Sequence, residues 1–405
     1  MGCLRTTDEA STAAPRRGDT PGREPGSSAL AARLALFLFA DQELTGGVAR
    51  VFMNLANGLS RQELDTTLVV TGSIARRPVG LDERVMIHGL NKRNLRGAFI
   101  PFVRYLRSAR PTAVLSAMEH PNVLAVAARS AARVPVRLLL STHNPLTSRL
   151  ELSYGARDRL ILPRAIRAAY PRADALVAPS QGVANDLLGM LNDRGSRVVT
   201  IPNPIVDDGF SARMKATVAH PWLRDATVPV FLAVGRLAAQ KDYPTLLRAF
   251  ALVRESRHAR LIVLGSGPGR SGLIELSRTL SLRDWIDFHG HVADPLPYMR
   301  CADALVLSSL WEGFANVLVE SLACGCPVVS TDCPSGPAEI LANGAYGRLV
   351  PVGDHRSLAD AMLATVAAEP DRRRLMARAQ DFHVDVSTNR YLEALELSGD
   401  APSSG

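Results

Sequence analysis

Short apolar runs of three to seven residues recur along the chain, separated by stretches whose apolar positions repeat at helical spacing. In the first half they lie at 34–40, 67–71, 113–116, 136–141, 175–178 and 198–201. In the second half they lie at 228–234, 260–264, 286–288, 304–308, 327–330 and 347–350. Strands that alternate with helices in this way predict a parallel sheet covered on both faces. Between the two series, Ile201-Pro202-Asn203-Pro204 interrupts regular structure and predicts a linker. The fold class expected is therefore α/β, with two doubly wound domains, and ligands are expected in the cleft outside the carboxyl ends of the strands.

At 405 residues, with 47% hydrophobic residues, the chain is long enough for two full cores. The first thirty residues are rich in Gly, Pro, Ser, Thr and charge, and read as a disordered tail rather than a signal peptide. The apolar run at 34–40 is too short to span a bilayer, so any membrane contact of this protein, whose cysteines point to a cytoplasmic setting, is expected to be peripheral. Cys3, Cys301, Cys324, Cys326 and Cys333 have no framework spacing, which fits a reducing compartment; Cys324 and Cys326 are expected to pack at a helix-to-strand turn.

Charge is uneven. Residues 30–205 carry 23 Lys and Arg against 12 Asp and Glu, whereas residues 206–405 carry 20 against 23. A basic half attracts anionic partners such as phosphate-linked lipids or a membrane surface; nucleic acid is disfavoured because no recognised binding motif accompanies the charge. Arg93, Arg96, Arg104, Arg107 and Arg110 share a helical stretch with Phe99, Ile100, Phe102, Val103 and Leu106. It is either a membrane-facing helix or an ordinary solvated face.

The densest chemistry lies at 311–330. A strand over 303–309 is followed by a turn at Trp311 to Phe314, and Asn316 is expected to cap a helix bearing Val317, Leu318 and Leu322. A helix opening at a strand end presents free N–H groups and a positive dipole end, a favourable place for phosphate or sugar hydroxyls. Glu320 shares a helical face with Asn316, and Glu312 precedes the helix, so two carboxylates can grip separate parts of one elongated ligand with vicinal diols, a sugar or ribose.

Other strand ends add to this. Arg236 and Lys241 follow the 228–234 run and suit a diphosphate. Gly265-Ser266-Gly267-Pro268-Gly269 is a turn that lets backbone approach a ligand closely, and Thr45-Gly46-Gly47 is another glycine turn at a helix start. Thr142-His143-Asn144-Pro145 puts an imidazole where it can position or deprotonate an acceptor hydroxyl, or simply cap the turn. His289 and His291 read as packing near a ligand base. No Asp-x-Asp pair occurs in the chain, which argues against a sugar-diphosphate site built on a metal–carboxylate motif.

Gly46-Gly47, Ala178-Pro179-Ser180, Ile201 to Pro204, Val234-Gly235-Arg236 with Lys241, Gly265 to Gly269, and Glu312 with Glu320 as E-x7-E together resemble family 4 of the retaining glycosyltransferases, over about residues 34–396. The resemblance implies the GT-B fold, two Rossmann-like domains facing each other across a cleft: an acceptor domain over 31–203, a donor domain over 204–385, and a last helix from 386 crossing back to the first. It implies that Glu320 holds the ribose of a nucleotide sugar, and that Glu312 with the backbone of Phe314, Asn316 and Val317 holds the transferred sugar. Arg236 and Lys241 would neutralise the leaving diphosphate, Gly47 and Gly267 would approach the donor, and His143 would sit near the reacting centre. No metal or other cofactor is then required. The implied reaction moves a hexose or N-acetylhexosamine, from a UDP-sugar before a GDP-sugar, with retention, to a hydroxyl of a glycan or lipid-linked acceptor. The segment 332–340 is similar to members that build bacterial surface glycans or lipid-linked oligosaccharides. A GT-B epimerase or phosphorylase, and a non-catalytic sugar-nucleotide binding protein, are the alternatives; sugar, base and acceptor stay open.

Overall fold

The computed structural model describes residues 32–396 apart from 41–43, 45, 154, 193–196 and 226. The expected N-terminal tail, Thr45 of the first glycine turn, and residues 397–405 lie outside the described residues.

Seven strands form the first sheet: β1 (Arg33–Leu38), β2 (Asp65–Val70), β3 (Met86–Gly89), β4 (Ala113–Ala117), β5 (Arg137–Ser141), β6 (Ala175–Ala178) and β7 (Val198–Thr200). Their order is β3-β2-β1-β4-β5-β6-β7 and every pairing is parallel, with Leu36 of β1 in register with Leu68 and Leu115. The second sheet holds β8 (Val230–Val234), β9 (Arg260–Leu264), β10 (Ile286–Gly290), β11 (Ala304–Leu307), β12 (Val328–Thr331) and β13 (Arg348–Val350), in the order β10-β9-β8-β11-β12-β13, again parallel. All twelve apolar runs are strands, to within two residues at each end. The thirteenth, β3, escapes a hydrophobicity reading because it is a four-residue edge strand, MIHG, only partly covered.

These are two parallel-sheet α/β domains, and each has one place where strand order reverses, between β1 and β4 and between β8 and β11. Such reversals open a crevice at the carboxyl end of the sheet. The chain leaves β1 at Leu38 toward the glycine turn, and leaves β8 and β11 toward Lys241 and Glu312, so the sequence motifs sit at these crevices.

The Arg-rich stretch is the helix Leu95–Ala109, started by Asn94, whose side chain accepts from Gly97 N at 2.8 Å. Its apolar face points inward: Phe102, Val103 and Leu106 are buried, and Phe102 stacks on Phe37 at 4.2 Å. This corrects the picture of an apolar face free for a membrane; Ile100 is the large apolar side chain left exposed there. Arg107 donates to the carbonyls of Ala131 and Ala132, at the end of the helix Glu119–Ala132, where a cation is favourable.

The helix Val384–Ala394 packs on the helix Gly47–Arg61 of the first domain. Gly58 permits the approach, since a Cβ there would overlap Thr388. Arg61 pairs with Asp385 at 2.8 Å, Gln62 with Asn389 at 2.8 Å, and Ser387 donates to the carbonyl of Pro202. Cys324 and Cys326 are buried around the turn between the helix Asn316–Ala323 and β12; burial pushes the Cys326 thiol up to about 11.

Candidate active site

After β11 the chain runs through Ser308 to Ala315 and turns directly into the helix Asn316–Ala323. The residue before the first turn is Ala315, in the left-handed region at φ 63°, and no side chain caps the helix. Asn316 is thus the first helical residue and not the cap expected from sequence. Its Oδ1 instead accepts from Asn203 Nδ2 of the linker at 2.8 Å, and its Nδ2 lies 3.8 Å from where a Cβ of Gly47 would stand. Leu318 N donates to Ala315 O at 2.9 Å, and without a side-chain cap the N–H groups of Asn316 and Val317 are left to another partner.

Glu312 is buried and held by two donors on one oxygen. Lys241 Nζ lies 2.5 Å from Oε1 and Ser309 Oγ donates to the same atom at 2.6 Å. The loops after β8 and β11 are stitched together around this pair, with Leu310 N donating to Gln240 O, Gln240 Nε2 to Trp311 O, and Ser308 Oγ to Lys241 O. Arg236 is exposed and makes no ion pair among the described residues. The glycine turn after β9 packs on the loop after β8: Leu237 N donates to Ser266 O, and Gly269 N to Leu237 O, each at 2.9 Å. A Cβ on Gly265 would overlap the Gly235 carbonyl and one on Gly267 the Leu237 backbone, so these glycines are explained by loop meeting loop.

The two domains meet across these loops. A Cβ on Gly313 would overlap the carbonyl oxygen of His143, and Ser180 Oγ donates to Gly313 O at 2.7 Å. Glu339 accepts from Gln181 N at 2.8 Å and Gly182 N at 3.1 Å, at the start of the helix Gln181–Leu191. Arg50, on the first turn of the helix Gly47–Arg61, lies 3.3 Å from Glu320 Oε1.

The His143 ring is buried, its Nε2 2.9 Å from Ser141 Oγ and its face met edge-on by Phe52. Burial, aided by the Arg149 charge, pushes its pKa down to about 4, so the ring is neutral near pH 7. Glu320 is buried too. Desolvation raises its pKa and Asp294 adds to this, while Arg50 and Arg213 oppose it.

A domain pair of this kind is met again in known proteins. The Glycosyltransferase Family 4 profile matches residues 45–208, and the profile described as glycosyl transferases group 1 matches residues 228–368, one in each domain. The chain belongs to the family 4, group 1 glycosyltransferases. It is 28% identical over 360 residues to the lipopolysaccharide core biosynthesis glycosyltransferase LpsE of Rhizobium meliloti, covering 86% of this chain and 96% of that one. It is also 28% identical over 241 residues to the N-acetylgalactosamine-N,N'-diacetylbacillosaminyl-diphospho-undecaprenol 4-alpha-N-acetylgalactosaminyltransferase of Campylobacter jejuni, covering 60% of this chain and 63% of that relative. Among solved structures, Anabaena Alr3699/HepE in complex with UDP superposes with a TM-score of 0.72 at 18% identity, over 90% of this chain and 99% of that one. The WaaG glycosyltransferase superposes at 0.68 and 16% identity, over 91% of this chain and all of that one. These likenesses establish a GT-B fold.

In this glycosyltransferase the structure brings together Gly47 with Asn316, Lys241 with Glu312, and His143 with Gly313. Phe314 and Val317 are buried beside them in the core that both sheets share. Arg236 stands at the rim, and Gly267 is engaged with Leu237. His289 is tied to Asp287 at 3.0 Å and to Tyr298 at 3.0 Å on the outer edge strand β10, while Asp294, a few residues on, is the group felt by Glu320. Sequence reasoning missed Arg50, Ser309 and Glu339. Arg50 had a signal, three residues after Gly47 on the same helical turn.

His220, Asp287 and His289 gather potential metal-binding atoms within 4.8 Å. The hydrogen bonds decide against a cation there. His220 Nδ1 accepts from Trp222 N at 3.2 Å, so Nε2 carries the proton and donates to Asp287 at 3.0 Å, which leaves no lone pair on that atom.

Proposed function

We propose that this protein transfers a hexose or N-acetylhexosamine from a nucleotide-diphosphate sugar, a UDP-sugar first, to a hydroxyl of a glycan or lipid-linked acceptor, with retention of configuration, in surface polysaccharide or glycolipid synthesis. The observation that carries this reading is the convergence of Glu312, Lys241, Glu320 and Gly47 from three strand-end segments, those after β1, β8 and β11, in two facing domains. Each has a part that its chemistry suits. The ionised Glu320 accepts paired hydrogen bonds from the ribose diol; the uncapped helix start at Asn316, with Gly47 opposite, gives N–H groups and open space to phosphate oxygens.

Lys241 supplies charge to the departing diphosphate from its place against Glu312, and Arg236 at the rim adds a second cation. Glu312 Oε1 already accepts two donors, which lowers its nucleophilicity and supports attack by the acceptor from the leaving-group face, with a phosphate oxygen taking the proton. A neutral His143 with a pKa near 4 suits a positioning role more than proton uptake at neutral pH. Catalysis is then electrostatic and positional, without a metal or other cofactor.

Relatives in lipopolysaccharide core and undecaprenol-diphosphate chemistry support an acceptor of that class. The excess of Lys and Arg in the first domain, with Arg96, Ile100 and Arg104 exposed on one helix, supports peripheral contact with an anionic cytoplasmic membrane face. No helix among the described residues is long and apolar enough to cross a membrane.

The test is incubation with a panel of UDP-, GDP- and ADP-sugars, with and without lipid-linked acceptors, following nucleoside diphosphate release and the anomeric configuration of the product. Acceptor-dependent release from a UDP-sugar with retention is expected. Release from no donor by a folded protein overturns the reading.

A further inference from the structure

The carboxylate assigned to the donor ribose lies in the second domain, yet its nearest cation comes from the first. Arg50 Nη1 stands 3.3 Å from Glu320 Oε1, and both belong to helices that start at the facing crevices. The Glu320 side chain is nearly buried, whereas that of Arg50 is 38% exposed and reaches in from the cleft. Resting on the reading of Glu320 above, we propose that Arg50 is the positioning residue for Glu320, a contact across the cleft that fixes which oxygen faces the ribose and ties donor binding to the approach of the two domains.

The geometry gives the reason. Arg50 engages Oε1, which leaves Oε2 for the two vicinal hydroxyls of a ribose. A diol is held by a carboxylate that accepts from both hydroxyls, so Glu320 has to stay ionised in a buried place. Its own domain does little for this. Asp294 opposes ionisation, and the cation there, Arg213, is shared between Asp207 at 3.0 Å and Asp294 at 3.8 Å. The Cys324 thiol, also next to the site, is itself pushed up by burial and by Glu320. Arg50 is the remaining charge in favour, and it is there only when the first domain is.

Titration of the whole protein with UDP, and with GDP and ADP in parallel, between pH 5 and 8.5 tests the proposal through the variants R50A, R50K, E320Q and R50A/E320Q, each checked for an unchanged melting profile. In R50A, nucleotide affinity is expected to fall about tenfold, as for the loss of a charge-assisted contact, and the pH below which binding weakens is expected to move upward. R50K should recover part of both. E320Q should weaken binding and flatten its pH dependence, and R50A/E320Q should be no weaker than E320Q. An R50A protein whose pH profile matches the parent, while E320Q differs, overturns the role of Arg50 alone. An E320Q protein that binds every nucleotide as the parent does overturns the ribose assignment on which it rests.

Discussion

The Lys241 ammonium lies 2.5 Å from Glu312 Oε1, and the two side chains are 17% and 8% exposed, so the pair joins the ends of β8 and β11 in a place with little water. Removing one partner of such a pair leaves the other buried and uncompensated, which costs about 3–5 kcal/mol, more than the pair itself contributes. Lys241→Met is expected to lower the melting temperature clearly and to weaken nucleotide binding. The double variant Lys241→Met/Glu312→Gln should regain most of the stability but not the binding. Calorimetry on the three proteins checks this, and a Lys241→Met protein that melts as the parent does contradicts a buried, interdependent pair.

Gly313 is where the second domain touches His143 most closely. Its Cβ-free backbone lies on the His143 carbonyl, and its own carbonyl accepts from Ser180. A methyl group cannot be placed there without moving backbone in one domain. Gly313→Ala is therefore expected to hold the cleft apart: small-angle scattering should show a larger radius, glycosyl transfer should fall by about 100-fold or more as alignment is lost, and circular dichroism should stay unchanged. Parent-like turnover in this variant would falsify the close contact.

The sheets were legible in the sequence because parallel strands buried on both faces are near-continuous apolar runs, as in RLIVL at β9 or DALVL at β11. Only β3 hid, since an edge strand needs cover on fewer sides. The loop motifs were legible as residue types, and Lys241 and Glu312 were both found, but not that they pair with each other. Asn316 misled because a polar residue at a helix start usually caps it, whereas here Ala315 takes the left-handed conformation and frees the amide to hold Asn203. The partnerships of Arg50 with Glu320 and of Glu339 with Gln181 span 270 and 158 positions of chain, and they follow from how two domains close, which no local pattern records.

Glu339 is an exposed residue, but its carboxylate receives two backbone N–H groups at the start of the helix Gln181–Leu191, where the macrodipole also favours an anion. Such an arrangement is worth about 1 kcal/mol at low salt and fades as salt rises. Glu339→Gln is expected to shift the cleft modestly toward opening, read as a higher donor KM with little change in melting temperature. In the parent, added salt should raise the donor KM in the same direction, and in Glu339→Gln that salt response should shrink. An equal salt response in both proteins would place the effect elsewhere.

His143 makes the fold sensitive to acid in a defined window. Its imidazole is buried against Phe52 and Ser141, and its pKa is held down to about 4, below the value of about 6.5 that an exposed histidine has. For a group whose folded pKa is depressed, the unfolded chain binds the proton first as pH falls. The contribution is thus complete above pH 6.5 and is lost progressively down to about pH 4, below which both states are protonated. A separation of this size corresponds to roughly 3 kcal/mol across the window, since each pKa unit is worth about 1.4 kcal/mol. His143→Gln cannot take up a proton, so its stability should change less between pH 7 and pH 4.5, whatever its stability at pH 7. Urea unfolding at several pH values checks this. A His143→Gln protein that loses as much stability on acidification as the parent would assign the acid sensitivity to other groups and remove the support for a neutral, positioning His143.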